Sequence, residues 1–245
     1  MDTTSFTLLY PAIAVIAFLY SVVGHAGASG YIAVMALAGL TPGEIRPTAL
    51  VLNVLVASLA TWQFHRAGHF RWQLFWPFAV LSIPAAYIGG ALAVPAEVFK
   101  TLVGTVLLLS AARFLIQTSD REQTSPPALP IALATGAALG LLAGITGTGG
   151  GIFLTPVMLF AGWGKTKETA AVSAPFILVN SLSGLLGFMR TGAPLPGFVT
   201  GLAAVAVLAG LAGSYLGSRR FPVRTIRLTL AFVLAIAGAK LVFHF

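Results

Sequence analysis

The sequence predicts an all-α fold, a polytopic bundle of transmembrane helices. Three observations carry this. Of 245 residues, 58% are hydrophobic and 8% charged, whereas a soluble domain carries about 25% charged residues. Apolar runs long enough to cross a bilayer recur along the whole chain. The second half repeats the segment order of the first. Too little polar surface remains to cover a body folded in water. The chain has 14 Lys+Arg against 6 Asp+Glu. These basic residues fall mostly between apolar runs, so membrane topology accounts for them and nucleic acid is not an expected partner. There is no cysteine, which excludes disulfides and thiolate metal sites. The opening "MDTTSF" holds an acid and no Lys or Arg. The first run is therefore expected to remain as a permanent helix and not to be cleaved as a signal peptide.

The expected apolar segments of the first half are Phe6–Gly24, a short Tyr31–Leu40, Pro47–Phe64, Trp72–Val94 and Val98–Gln117. The stretch "TSDREQTSPP" (Thr118–Pro127) reads as an ordinary polar loop, with three charges and two prolines. The pattern then restarts with Leu129–Thr146, a short Ile152–Gly162, Thr169–Met189, Gly197–Gly217 and Val223–Phe243. This divides the chain into a first membrane repeat (1–117), a polar linker (118–128) and a second membrane repeat (129–245). "GHAGASGYIAV" (Gly24–Val34) lies over "GITGTGGGIFL" (Gly144–Leu154) at a spacing of 120 residues, and "RAG" at Arg66 lies over "RTG" at Arg190, 124 residues on.

Charge separates parallel from inverted halves. Five crossings per half put Arg66, Arg71, Arg113, Arg121, Lys165, Lys167, Arg219, Arg220, Arg224 and Arg227 on one face. Arg46, Lys100, Arg190 and Lys240 fall on the other, ten against four. Four crossings per half weaken the split to eight against six. The positive-inside rule prefers the odd count, or an equivalent re-entrant pair. Two inverted repeats with both termini outside are the expectation.

Each short segment follows a glycine-rich break and is too short to span about 30 Å. Irregular backbone at membrane depth survives only buried in protein or beside a wet cavity. Each break therefore presents a helix N-terminus inside the protein, where unpaired N–H groups and the dipole favour an anion. Discontinuous helices at corresponding places in two halves mark a transporter site. The expected substrate ligands are His25, Ser29, Gly30 and Tyr31 of the first break and Thr146, Thr148, Gly149, Gly150 and Gly151 of the second. Asn53 and Asn180, polar groups in the third segment of each half, join them. The competing reading makes the glycines simple packing devices. "GAALGLLAG" and "GSYLG" fit that role, with their small residues spaced by four. The glycines of Gly147–Gly151 do not, because adjacent glycines destroy a helix.

"GITGTGGGIFLTPVML", "GHAGASGYIAVMAL", the trailing R-x-G and the two-half arrangement together resemble the TauE/SafE family of sulfite and organosulfonate exporters, over nearly the whole chain. Where that family usually carries more glycine, this chain has His25, Ala26, Ala28 and Tyr31, a bulkier first break. The resemblance implies a multi-pass protein of the bacterial inner membrane. It implies export of small sulfur oxyanions or sulfonates, with proton coupling.

His25 is the one titratable side chain within a break. It either pairs with an anion and carries a proton, or stays a neutral, hydrogen-bonded histidine. His65 and His69 stand four apart but share a basic loop with Gly68, so a solvated loop is preferred to a metal pair. Gln63 and Arg190 are expected near the interface, and Trp62, Trp72, Trp76 and Trp163 suit interfacial belts. Ser173 and Pro175 are placed near the cavity. No Asp or Glu lies within a long apolar segment, which weighs against a cation transporter. "GWGKT" lacks the first glycine of a P-loop, "GASGY" lacks nucleophile-elbow spacing and "GTGGG" follows no strand. The expectation is a transporter, not an enzyme, with neither cofactor nor metal. Its partners are a small anion and the lipid bilayer, and small-residue stripes permit a homodimer. A non-transporting scaffold or assembly subunit and a passive anion channel are the alternatives.

Overall fold

The computed structural model describes residues 3–92, 123–190 and 194–243, together with 108, 111, 112, 115 and 192. Nine helices are defined among these residues. The first half holds α1 (Thr3–Val22), short α2 (Ala28–Leu37), α3 (Pro42–Arg66) and α4 (Trp72–Ala91). The second holds α5 (Leu129–Thr146), short α6 (Gly151–Ala161), α7 (Thr166–Met189), α8 (Val199–Tyr215) and α9 (Val223–Phe243), with a π-helical turn, Leu216–Arg220, after α8. Five are long and apolar enough to cross a membrane: Gly43–Arg66, Trp72–Ala91, Leu129–Thr146, Thr166–Met189 and Val199–Arg220. Most of the expected segment Val98–Gln117 and residues 118–122 of the polar linker lie outside the described residues.

Local chemistry sets the boundaries. Thr41 and Glu44 open α3 five residues before the expected Pro47: the Glu44 carboxylate accepts from the Thr41 amide at 2.9 Å and the Thr41 hydroxyl at 2.7 Å. Glu168 does the same for α7, accepting from the Lys165 amide at 3.0 Å. Both acids bond amides that a helix start leaves unpaired, where the dipole also favours them. α2 begins at Ala28, so Gly30 and Tyr31 lie in its first turn and not in the break.

The packing is nearly unchanged when the halves are exchanged. α4 packs on α5, and its mirror pair is α8 on α1; α3 packs on α7, its own counterpart. Glycine makes the closest of these crossings. A Cβ at Gly136, Gly140 or Gly144 of α5 would strike the backbone of Phe78, Ser82 or Ala86 of α4. One at Gly213 or Gly217 would strike Phe18 or Val22 of α1. The "GAALGLLAG" and "GSYLG" stripes are thus consumed in crossings inside the chain.

The same contacts fix direction. Along α3 and α7, Arg46 meets Phe188, Leu50 meets Gly184, Asn53 meets Ser181 and Phe64 meets Ala170 and Ala171. Counterpart helices therefore run antiparallel. α4 runs parallel to α5, and α1 to α8, as their ascending glycine contacts require. The halves are inverted in the membrane frame. Arg66 and Arg71 of the α3–α4 loop, Lys165 and Lys167 at the start of α7, and Arg219 and Arg220 gather at one end of the bundle. His69 and Lys167 both reach the Ser218 carbonyl there, and Arg71 pairs with Glu168 at 3.3 Å. Arg46 and Arg190 lie at the other end, at opposite ends of the antiparallel α3–α7 pair from Phe64 and Ala170.

Candidate functional site

The two breaks have the same construction. Residues 23–27 separate α1 from α2, and residues 147–150 separate α5 from α6. Gly24 (φ 76°) and Gly27 (φ 103°) match Gly147 (φ 74°) and Gly150 (φ 81°), each 123 residues apart. This register differs by three residues from the one that the glycine spacing alone suggests. Positive φ, which only glycine adopts freely, identifies the true equivalents. Gly144, which that spacing pairs with Gly24, and Gly30, which it pairs with Gly150, are both helical.

In this register His25 corresponds to Thr148 and Ser29 to Ile152. All four line one small cavity, with about 10 Å³ open to the centre of a water-sized molecule, and Tyr20, Ala26, Gly27, Ala28 and Ile177 complete the wall. The cavity therefore sits where the halves meet, between equivalent positions of the two breaks. The first amide of α2 with an intramolecular partner is Tyr31, which donates to the Gly27 carbonyl at 2.9 Å. On α6, Phe153 and Leu154 both donate to the Gly150 carbonyl, at 3.1 and 3.0 Å. Amides earlier in each first turn have no partner within their helix. Two positive helix ends thus flank a cavity whose lining holds no charged residue.

The polar groups around it are connected. The Tyr20 hydroxyl and Ser29 Oγ are 2.8 Å apart. Thr146 Oγ1 donates to the Leu142 carbonyl at 2.7 Å and lies 2.8 Å from Thr148 Oγ1. His25 is buried, with Nε2 2.7 Å from Thr155 Oγ1, which lies 2.7 Å from Ser173 Oγ. Because His25 belongs to the first break and Thr155 to α6, this chain ties the two halves together. Its Nδ1 is buried and has no partner.

Of the expected ligands, the structure brings His25, Ser29 and Thr148 to the cavity. The others are not among its lining residues. Tyr31 is fully buried in the core with Met35 and Leu52, and its ring fills the space a Cβ at Gly27 would need. Asn180 donates from Nδ2 to the Phe176 carbonyl at 2.9 Å, one turn back in its own helix. Asn53 donates to Ser181 Oγ at 3.3 Å and reaches the Gly147 carbonyl at 3.5 Å, so it braces the second break from outside. A Cβ at Gly150 would meet the Phe176 ring and Ala143, and one at Gly149 would meet Ile177, Ser181 and Asn53. A side chain at either position would run into this packing. Gly151 likewise abuts Ile177. Gln63, expected at the interface, is buried at 6% exposure. Trp62, Trp72 and Trp76 are exposed. His65 packs on Phe70 while His69 meets the Ser218 carbonyl at 3.0 Å.

Sequence reasoning missed Tyr20, Thr155 and Arg46. Thr155 carried a usable signal, a hydroxyl one turn into a short helix and so on the face of its N-terminus. Arg46 carried none. Its guanidinium donates to the carbonyls of Gly89 (2.8 Å), Gly90 (2.9 Å), Leu92 (3.4 Å) and Gly144 (2.5 Å). It neutralises the negative ends of α4 and α5, and its stem lies against Gly147.

The family model for the sulfite exporter TauE/SafE matches residues 9–241. The chain belongs to the TauE/SafE family. It is similar to probable membrane transporter protein y4hK of Sinorhizobium fredii, 41% identical over 98% of this chain and 99% of that one. It also resembles probable membrane transporter protein ORF9 of a Sinorhizobium species, 28% identical over 86% and 79% of the two chains. A third relative, probable membrane transporter protein MJ0441 of Methanocaldococcus jannaschii, is 23% identical over 65% and 60%. No solved structure matches. This is an integral membrane protein of a transporter family, and a small-molecule substrate and membrane lipid are its partners.

Proposed function

We propose that this TauE/SafE protein exports small anions, sulfite or short organosulfonates, across a bacterial inner membrane. The observation that carries the reading is the convergence of two equivalent helix N-termini on one cavity between inverted halves. Such ends supply N–H donors and positive potential without a fixed cation. That suits a ligand that must bind and then leave. Residues 1–117 and 129–245 are the two units that rock about the cavity. Arg66, Arg71, Lys165, Lys167, Arg219 and Arg220 belong to the cytoplasmic end. A negative interior then assists export by about 2.3 kcal/mol per 100 mV for each negative charge that crosses without a proton.

The test is thermal stability of the purified protein against sulfite, thiosulfate, methanesulfonate, taurine, chloride and carboxylates. A ligand that binds only the folded state raises stability by mass action. Sulfur oxyanions or sulfonates should raise the melting temperature selectively. Thr148→Leu, which fills the cavity from the second break, should abolish that shift while leaving the ligand-free melt unchanged. Absence of any shift with these anions at millimolar concentration would overturn the reading.

A further inference from the structure

We propose that the cavity binds its anion together with one proton, held at His25 Nδ1. This rests on the anion reading of the same site and specifies the form of the cargo.

The starting point is an unpaired atom. His25 is 1% exposed and lines the cavity, and its Nδ1 has no partner. A neutral imidazole has one N–H and one bare nitrogen. Orphaned buried N–H donors are rarer than under-satisfied acceptors. The N–H therefore sits on Nε2, donating to Thr155 Oγ1 at 2.7 Å. Thr155 in turn has Ser173 Oγ at 2.7 Å to receive its own hydrogen. The chain of donors runs away from the cavity and leaves the Nδ1 lone pair unpaired.

A lone pair repels an anion's oxygen. The other polar features of the cavity wall suit an anion: two helix N-termini and the hydroxyls of Tyr20, Ser29 and Thr148. A proton on Nδ1 removes the conflict. It turns the one mismatched atom into a charged donor, and imidazolium and anion stabilise each other in a low-dielectric site. In the empty cavity the ring stays neutral, since a buried imidazolium would need a counter-charge. Tyr20 of α1 is the other titratable group facing the ring, 6.4 Å away and engaged with Ser29. Thr155 of α6 and Ser173 of α7, which face the ring from the other half, do not titrate. No Asp, Glu, Lys or Arg lines the cavity. The proton can come with the ligand or from solution; either way one is bound per anion. Thr148, the counterpart of His25, cannot do this, so the proton site belongs to the first half alone.

The consequence is a linkage. Affinity for an anion that does not itself titrate should fall by up to tenfold per pH unit. Methanesulfonate is a suitable probe, since it stays a monoanion between about pH 5.5 and 8, the range where a histidine is useful. Calorimetry of wild-type protein in two buffers of different ionisation enthalpy should report uptake of one proton per methanesulfonate. His25→Gln keeps hydrogen bonding without titrating and should bind with a flat pH profile. Proton uptake near zero in the wild type would overturn the proposal even if that variant failed to fold. So would an equal pH slope in the two proteins. Binding that is pH-independent leaves the anion reading standing, whereas no binding at any pH removes both.

Discussion

Thr155 does two jobs with one hydroxyl. It meets His25 Nε2 and Ser173 Oγ, both buried, and it joins the first break to the second half. Thr155→Val keeps the shape and deletes the oxygen, leaving two buried polar groups unpaired. That costs about 1–3 kcal/mol for an unsatisfied group, so the melting temperature should fall by several degrees, and Thr155→Ser should restore most of it. An unchanged melt in Thr155→Val would mean that the chain is not structural. The residue scale is also where the sequence was least legible. His25, Ser29 and Thr148 could be found because they lie in or beside the breaks. Asn53, Asn180 and Tyr31 could not be judged, because a polar or aromatic residue near a break can face inward, sideways or back on its own helix. Asn180 takes the last course, bonding the Phe176 carbonyl.

At the scale of elements, glycine has two separate tasks, and position decides which. Gly24, Gly27, Gly147 and Gly150 take positive φ; the first of each pair follows a helix end and the second precedes a helix start. Gly136, Gly140 and Gly144 are helical and let α5 lie against the α4 backbone. Gly140→Val should therefore destabilise by overpacking, about 1–3 kcal/mol or more, because its Cβ meets the Ser82 backbone, which cannot move aside as a side chain could. Gly43→Ala, with nothing within 4 Å of the new Cβ, should melt at or slightly above the wild type. Comparable loss in both would refute the crossing as the cause. Spacing by four made the α5 stripe readable in advance, and helix ends were readable to within a few residues. The register between halves was not. Glycine identity matched at 120 residues, but φ, which no letter code records, matches at 123. The early start of α3 was legible only through the Thr41–Glu44 cap.

Across the whole molecule, inversion follows from contacts that pair the start of α3 with the end of α7. Inversion explains why equivalent positions, His25 with Thr148 and Ser29 with Ile152, face each other across one cavity. In parallel halves the two short helices would point the same way, and their N-termini could not oppose. The repeat and its parity were legible because they rest on segment order and on charge. In the proposed orientation, the end rich in Lys and Arg faces the cytoplasm. Gly68 lies in the loop beside Arg66 and Arg71, whereas Gly43 lies at the start of α3, the end that holds Arg46. Both are exposed, and a Cβ at either meets nothing within 4 Å. The chain has no cysteine, so a single introduced thiol is an unambiguous reporter. In intact cells, a membrane-impermeant maleimide should label Gly43→Cys and should reach Gly68→Cys only after the membrane is opened. The reverse pattern would invert the orientation and, with it, the sense in which the membrane potential drives an anion. Equal labelling of both would be incompatible with a single insertion direction.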